Sequence, residues 1–350
     1  MHKNKTIKGI LMNYRYIGKS GLRVSPICLG TMTFGSFCDK KESFKIMDKA
    51  YERGINFFDT AELYPVPPSS HYNGLTEEII GEWIKGKPRD SIILASKVAG
   101  ASNGWFVPPI RHGLTALDRF HITKALDKSL KRLQTDYLDL YQVHWPDMTV
   151  PIEETLYVLD EFVKAGKIRY LGTSNDTAYG LTKANEVAKF KNLARFQSIQ
   201  NNFSMLNRRF LDELAQVCER ESISLLPYSP LAGGVLTGKY NQKFIPKDAR
   251  FGKYLSDPNP RVQAQASRFV NDKTLGSVKK YMKIAKEFDV NLTTMATAWS
   301  MHFDFIASTI IGVTNAGQLD VILDAFDYKI STELMQKLDA VHKEILYPMG

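Results

Sequence analysis

The chain has 350 residues, 44% of them hydrophobic, and 46 basic against 37 acidic side chains give it a formal net charge of +9. No run of about 18 apolar residues occurs, which excludes a membrane-spanning helix. The basic residues are scattered among acids and form no binding motif, so their excess suits anionic small molecules such as nucleotide phosphates and not nucleic acid.

Cys28, Cys38 and Cys218 are odd in number, far apart and without metal-ligand spacing. They predict reduced thiols, no metal site and a cytoplasmic location. Cys38, just after the first strand's loop, reads as an inert cysteine, with a thiol-sensitive one the alternative.

Residues 1–13 read as a loose basic tail, with Met12 a second possible start. Residues 14–17 and 23–27, split by Gly18-Lys19-Ser20-Gly21, predict a small β-hairpin. Strand, loop and helix then alternate. A strand over 27–31 leads to a helix over 40–53 that Gly54 stops. A second strand ends in Asp59 and precedes a helix over 76–85, and a third covers 91–97. A long loop carries Trp105 and Phe106, and a helix spans 118–133. The fourth strand, 136–145, is followed by a helix over 152–165, and further strands fall at 168–175, 197–202 and 224–231. A polar, proline-bearing insert covers 240–260. Helices over 273–288 and 293–302 precede the eighth strand, 308–312, and amphipathic segments start at Gln318 and Thr332.

Eight short apolar strands alternating with helices predict a closed (β/α)8 TIM barrel, with the N-terminal β-hairpin ahead of it and long loops at the C-terminal rim. An open doubly wound sheet would begin with a glycine-rich phosphate turn, and Gly30-Thr31-Met32-Thr33-Phe34-Gly35 lacks that spacing. Without a linker or internal repeat, residues 1–350 are expected to form a single domain.

Active sites of such barrels gather at the C-terminal strand ends. Asp59 ends the second strand with Tyr64 just beyond, Lys97 ends the third, and His144 ends the fourth. Each alone reads as ordinary turn or core chemistry, but four ionisable types meeting at one barrel mouth read as a catalytic group.

In this order and context Asp59, Tyr64, Lys97 and His144 resemble the tetrad of the aldo-keto reductases. Residues 30–35, 64–68 and 133–146 are similar to its Tas-type branch, itself related to potassium-channel β-subunits. The resemblance implies hydride transfer from a reduced nicotinamide to an aldehyde or ketone, with Tyr64 as general acid. An ammonium about 4 Å from a phenolate stabilises it by about 4 kcal/mol at an effective dielectric of 20, so Lys97 is expected to make Tyr64 acidic, with desolvation pushing the other way and reducing the net effect. Asp59 would keep Lys97 charged and aimed. His144 would donate a hydrogen bond to the carbonyl oxygen.

The resemblance further implies a cofactor face. Gly30, Thr31, Met32 and Asp59 would line it, Ser174, Asn175 and Gln200 would clamp the carboxamide, and Tyr228 would stack on the nicotinamide. Ser229, Pro230, Leu231, Gly233, Lys239 and Arg250 would follow the phosphates, and Gly312, Thr314 and Gln318 the adenosine. NADPH is the implied reductant, with NADH the alternative, because Gly312, Thr314 and Gln318 supply none of the cations that many relatives carry there. Tyr64, Trp105, Phe106, His144 and Trp145 are expected around a small-molecule carbonyl substrate. Two rival readings are a cofactor-binding regulatory module like the channel subunits and a Schiff-base lyase using Lys97 as nucleophile.

Overall fold

A computed structural model describes residues 13–102 and 111–349. Strands β1 (Arg15–Tyr16) and β2 (Arg23–Val24) pair antiparallel as the expected hairpin. Gly18 turns it with φ +52°, and a Cβ there would lie 2.5 Å from the Gln197 carbonyl oxygen, so only glycine fits.

The main sheet comprises β3 (Ile27–Gly30), β4 (Phe57–Asp59), β5 (Ile93–Val98), β6 (Leu138–Val143), β7 (Ile168–Ser174), β8 (Phe196–Gln200), β9 (Ser224–Leu225) and β10 (Thr309–Ile311). All pairs in it are parallel, in the order β10-β3-β4-β5-β6-β7-β8-β9. Single bridges Leu225–Ile306 and Tyr228–Ile310 join the outer strands, with Leu225 N–H donating to Phe305 O at 2.8 Å and Ala307 N–H to Leu225 O at 3.1 Å. The sheet thus closes as a (β/α)8 barrel.

β9 is much shorter than the expected 224–231. Pro227 and Pro230 have no N–H for a ladder, and Ser229 and Ala232 take φ +55° and +48°, which bends the chain out of the strand.

Helices α1 (Lys40–Glu52), α2 (Leu75–Ile84), α3 (Arg119–Leu133), α4 (Ile152–Lys164), α5 (Ala178–Lys191) and α6 (Leu214–Glu221) follow successive strands. Caps set their starts: the Asp39 and Asp118 carboxylates accept the N–H groups of Glu42 at 2.8 Å and His121 at 2.9 Å. The insert contains α7 (Arg250–Leu255) and leads into α8 (Pro260–Phe269). After α9 (Asp272–Glu287) and α10 (Leu292–Met301), α11 (Gln318–Leu323) and α12 (Thr332–Glu344) complete the ring. No helix among the described residues is long and apolar enough to cross a membrane.

Side chains alternate across each strand. Outward residues such as Phe58, Leu94, Tyr141 and Ile199 join the core beneath the helices. Inward residues Phe57, Ala95 and Leu140 form an apolar floor with Cys28, and Ile17, Leu22 and Val24 of the hairpin plug it from below.

Candidate active site

Two residues further along each strand, the same inward row turns polar. Asp59, Lys97, Gln142 and Gln200 follow Phe57, Ala95, Leu140 and Ser198, and all four are buried. Gly172 stands beside this layer because a Cβ there would lie 2.5 Å from Ser198 Oγ and 3.1 Å from Gln142 Cγ.

Lys97 is fully buried, and its Nζ donates to Asp59 Oδ2 at 2.5 Å and to the Thr60 carbonyl at 2.8 Å. Asp59 Oδ1 accepts from the side-chain amides of Gln142 at 3.0 Å and Gln200 at 2.9 Å, and Gln200 Nε2 also reaches Gln142 Oε1 at 3.2 Å. Burial by itself would lower the Lys97 ammonium, but Asp59 beside it carries it above the ordinary lysine value. Lys97 is therefore a permanent cation.

Tyr64 packs over that cation, with Lys97 Nζ 5.0 Å from the ring centroid. Burial raises the phenol, the Lys97 ammonium lowers it, and the net direction is upward. This corrects the expectation of an acidified tyrosine: the ammonium pulls as expected, but desolvation outweighs it and the phenol keeps its proton at neutral pH. His144 lies edge-on to Tyr64, ring centroids 5.8 Å apart at 82°. Burial, and then the Lys97 charge, hold its imidazole well below the usual range, so the ring is neutral. Its Nδ1 is buried without a partner. An unmet acceptor is cheaper there than an unmet N–H, which assigns the proton to Nε2.

A cavity of about 870 Å³ opens above this layer. Its wall includes Gly30, Thr31, Met32, Asp59, Tyr64, His144, Trp145, Ser174, Asn175, Gln200 and Tyr228 from the barrel mouth. Ser229, Pro230, Leu231, Gly233, Lys239 and Arg250 continue it on one side, and Gly312, Thr314 and Gln318 on the other. Every expected cofactor residue thus faces one space. Trp105 and Phe106 lie outside the described residues.

Several of these groups are held by one another. Ser174 Oγ donates to the Gln200 carbonyl at 2.7 Å, Asn175 Nδ2 to the His144 carbonyl at 2.9 Å, and Tyr228 OH to Asn175 Oδ1 at 2.7 Å. Burial pushes the Tyr228 phenol up to about 12, so it remains a neutral donor. Gln200 differs from the expected clamp, since its amide nitrogen is committed to Asp59. Gln318 Oε1 accepts the Thr314 N–H at 2.9 Å and shapes the far end.

The donor set fits a nicotinamide dinucleotide. Gly233 has φ +64° and a Cβ there would strike Phe251 at 2.4 Å, so the 229–234 backbone comes close to α7. Arg250 Nε is buried with no partner. Lys239, Arg250, Lys253 and Arg268 all line the cavity, and among the described residues none has a carboxylate within ion-pair distance. Lys253, on α7 one turn beyond Arg250, and Arg268, on α8 just past the 240–260 insert, were not expected from the sequence. Gln142 was also missed, although period-two alternation from Leu140 to His144 puts it on the inward face. Cys38 is buried, and burial raises its thiol, as expected of an inert cysteine.

The model of the aldo/keto reductase family matches residues 26–343. The chain is 39% identical to Protein tas of Escherichia coli strain K12, over 96% of this chain and 99% of that one. It is 32% identical to the uncharacterized oxidoreductase YrpG of Bacillus subtilis strain 168, over 94% and 96%. It is 34% identical, again over 94% and 96%, to a probable voltage-gated potassium channel subunit beta of Oryza sativa subsp. japonica. With this coverage, and with the barrel its strands form, the chain belongs to the aldo/keto reductase family.

Proposed function

We propose that this protein, as one barrel domain, reduces aldehydes and ketones with NADPH, Tyr64 acting as general acid. The bound cofactor supplies a hydride to the carbonyl carbon. Tyr64 delivers its proton to the carbonyl oxygen, and the phenolate left behind is stabilised by the Lys97 ammonium 5.0 Å from its ring centroid. That phenol–ammonium pairing in the cavity wall is the observation that carries the reading. Asp59 holds Lys97 charged, and neutral His144 offers Nε2–H to the carbonyl oxygen. Tyr64 regains its proton from water once the alcohol leaves.

Charge supports NADPH over NADH. Lys239, Arg250, Lys253 and Arg268 enter the cavity against Asp248, and Asp59 is already matched by Lys97. An additional phosphate on the ribose suits that excess of cations. A cytoplasmic location belongs to the same reading, since all three cysteines are unpaired.

Lys97 also bears on the lyase reading. A Schiff-base nucleophile must be neutral, and Asp59 at 2.5 Å favours the charged form. The channel-subunit relatives favour a second reading, in which the protein binds NADPH and signals its redox state without turnover.

Absorbance of NADPH with a panel of aldehydes, ketones and quinones tests the proposal. Tyr64→Phe is expected to lower kcat by about 10²- to 10⁴-fold, the usual worth of a general acid, with NADPH still bound. Undiminished turnover in purified Tyr64→Phe removes Tyr64 from the mechanism. A clear advantage for NADH refutes the cofactor choice, and NADPH binding without any turnover establishes the regulatory reading.

A further inference from the structure

Glu62 lies two residues before Tyr64 and is 6% exposed. A carboxylate is costly to bury, and the proposed chemistry gives this one no part. Its Oε1 accepts the Ala99 N–H at 2.7 Å, while its own N–H donates to the Lys97 carbonyl at 3.2 Å. One residue therefore grips the chain on both sides of Val98, at the end of the strand that carries Lys97.

The neighbouring contacts extend this seam. Thr60 N–H donates to Ala95 O at 2.9 Å, and Tyr64 N–H to Ala61 O at 3.1 Å. From α3, His121 Nε2 donates to the Ala99 carbonyl at 2.9 Å and lies 3.6 Å from Glu62 Oε1. Arg132 acts on Glu62 from further away. Ala61, Leu63 and Ala99 pack together with Tyr64 and Trp145 over the same junction.

We infer that Glu62 is a positioning residue, a strut that fixes the Tyr64 loop on the Lys97 strand and so keeps the phenol against the ammonium. The inference rests on the reading of Tyr64 as proton donor. On the Lys97 strand the strut works by reach and not by charge, because the group it holds there is the Ala99 backbone N–H, while its charge acts on His121 of α3.

Two variants separate these. Glu62→Asp keeps the charge but is one methylene shorter, and Glu62→Gln keeps the acceptor but loses the charge. Glu62→Asp is expected to lower kcat about tenfold or more, since small misplacements of a reacting group are costly, with NADPH affinity unchanged. Glu62→Gln is expected to stay close to wild type. In cofactor-free protein, difference absorbance of each variant against its own Tyr64→Phe partner reads the Tyr64 phenol, and it should shift in Glu62→Asp alone. Wild-type kcat in Glu62→Asp, a kcat loss with an unmoved phenol, or a loss in Glu62→Gln but not in Glu62→Asp overturns the strut. If Glu62→Asp does not fold, Glu62→Gln decides, with both readouts expected intact and a change in either overturning it. A wild-type protein without turnover sinks the reductase reading instead, and the phenol titration then judges the strut by itself.

Discussion

Lys97 Nζ lies 2.5 Å from Asp59 Oδ2, with neither side chain open to solvent. The other carboxylate oxygen is taken by Gln142 and Gln200, so the carboxylate cannot turn away from the ammonium. Two of the three Lys97 protons are spent on Asp59 and Thr60, and the ammonium lies 5.0 Å from the Tyr64 ring centroid. The barrel thus stores one fixed positive charge under its proton donor. A buried pair of this kind is weak evidence of stability in itself, but removing one partner is expensive.

Asp59→Asn should therefore destabilise the fold by about 3–5 kcal/mol, the usual cost of stranding a buried charge. A lower urea midpoint at neutral pH is the expected result. An unchanged midpoint would mean that Lys97 sheds its proton at little cost, and the phenol would then lose its counter-charge.

The pH dependence of turnover follows from the phenol. Burial raises Tyr64 despite Lys97, so the donor stays protonated throughout the neutral range. In a profile of kcat against pH, the alkaline limb belongs above the ordinary tyrosine value of about 10. A limb near neutrality would show that Lys97 outweighs burial after all.

His144 makes a separate prediction for stability. Its imidazole is held down by burial and the Lys97 charge, so below about pH 6.5 the unfolded chain takes up a proton that the folded chain refuses. Stability must then fall as pH falls, by up to about 1.4 kcal/mol per pH unit until the folded group titrates. His121 has the opposite sign. Burial lowers it, but Glu62 and the Ala99 carbonyl carry it above the ordinary value, so its contribution is full below the unfolded value and lost as pH rises through the folded one. Urea midpoints at pH about 5 and 7 should differ less in His144→Asn than in wild type.

Gly233→Ala should damage the cofactor site from a distance. The left-handed backbone costs an L residue about 1–2 kcal/mol, and the new Cβ would meet Phe251 at 2.4 Å. Phe251 follows Arg250 on α7, so displacing it moves the cation with the unpartnered Nε. Weaker NADPH binding by fluorescence titration is expected, with the barrel's far-ultraviolet circular dichroism unchanged.

Much of this site was legible in the sequence for a local reason. A strand exposes alternate residues to one face, and the barrel puts strand ends at the mouth, so Asp59, Lys97 and His144 could be placed without coordinates, whereas Gln200 came from the family resemblance. The same periodicity reached Gln142, but a glutamine between a tyrosine and a valine carries no chemical mark of its own. The 240–260 stretch showed no helix in its sequence because its prolines and polar residues suit a loop as well, and α7 is held by tertiary burial of Phe251 and Tyr254.

By itself, the order of residues determined the alternation of strands and helices and which four ionisable groups stand at or just beyond the strand ends. Tertiary structure decided what those groups do to one another. Gln200 reaches Asp59 across 141 residues only because the barrel closes, and burial inside that barrel is what raises the Tyr64 phenol against the pull of Lys97. Periodicity is set by neighbours in the chain, whereas partners and desolvation are set by neighbours in space.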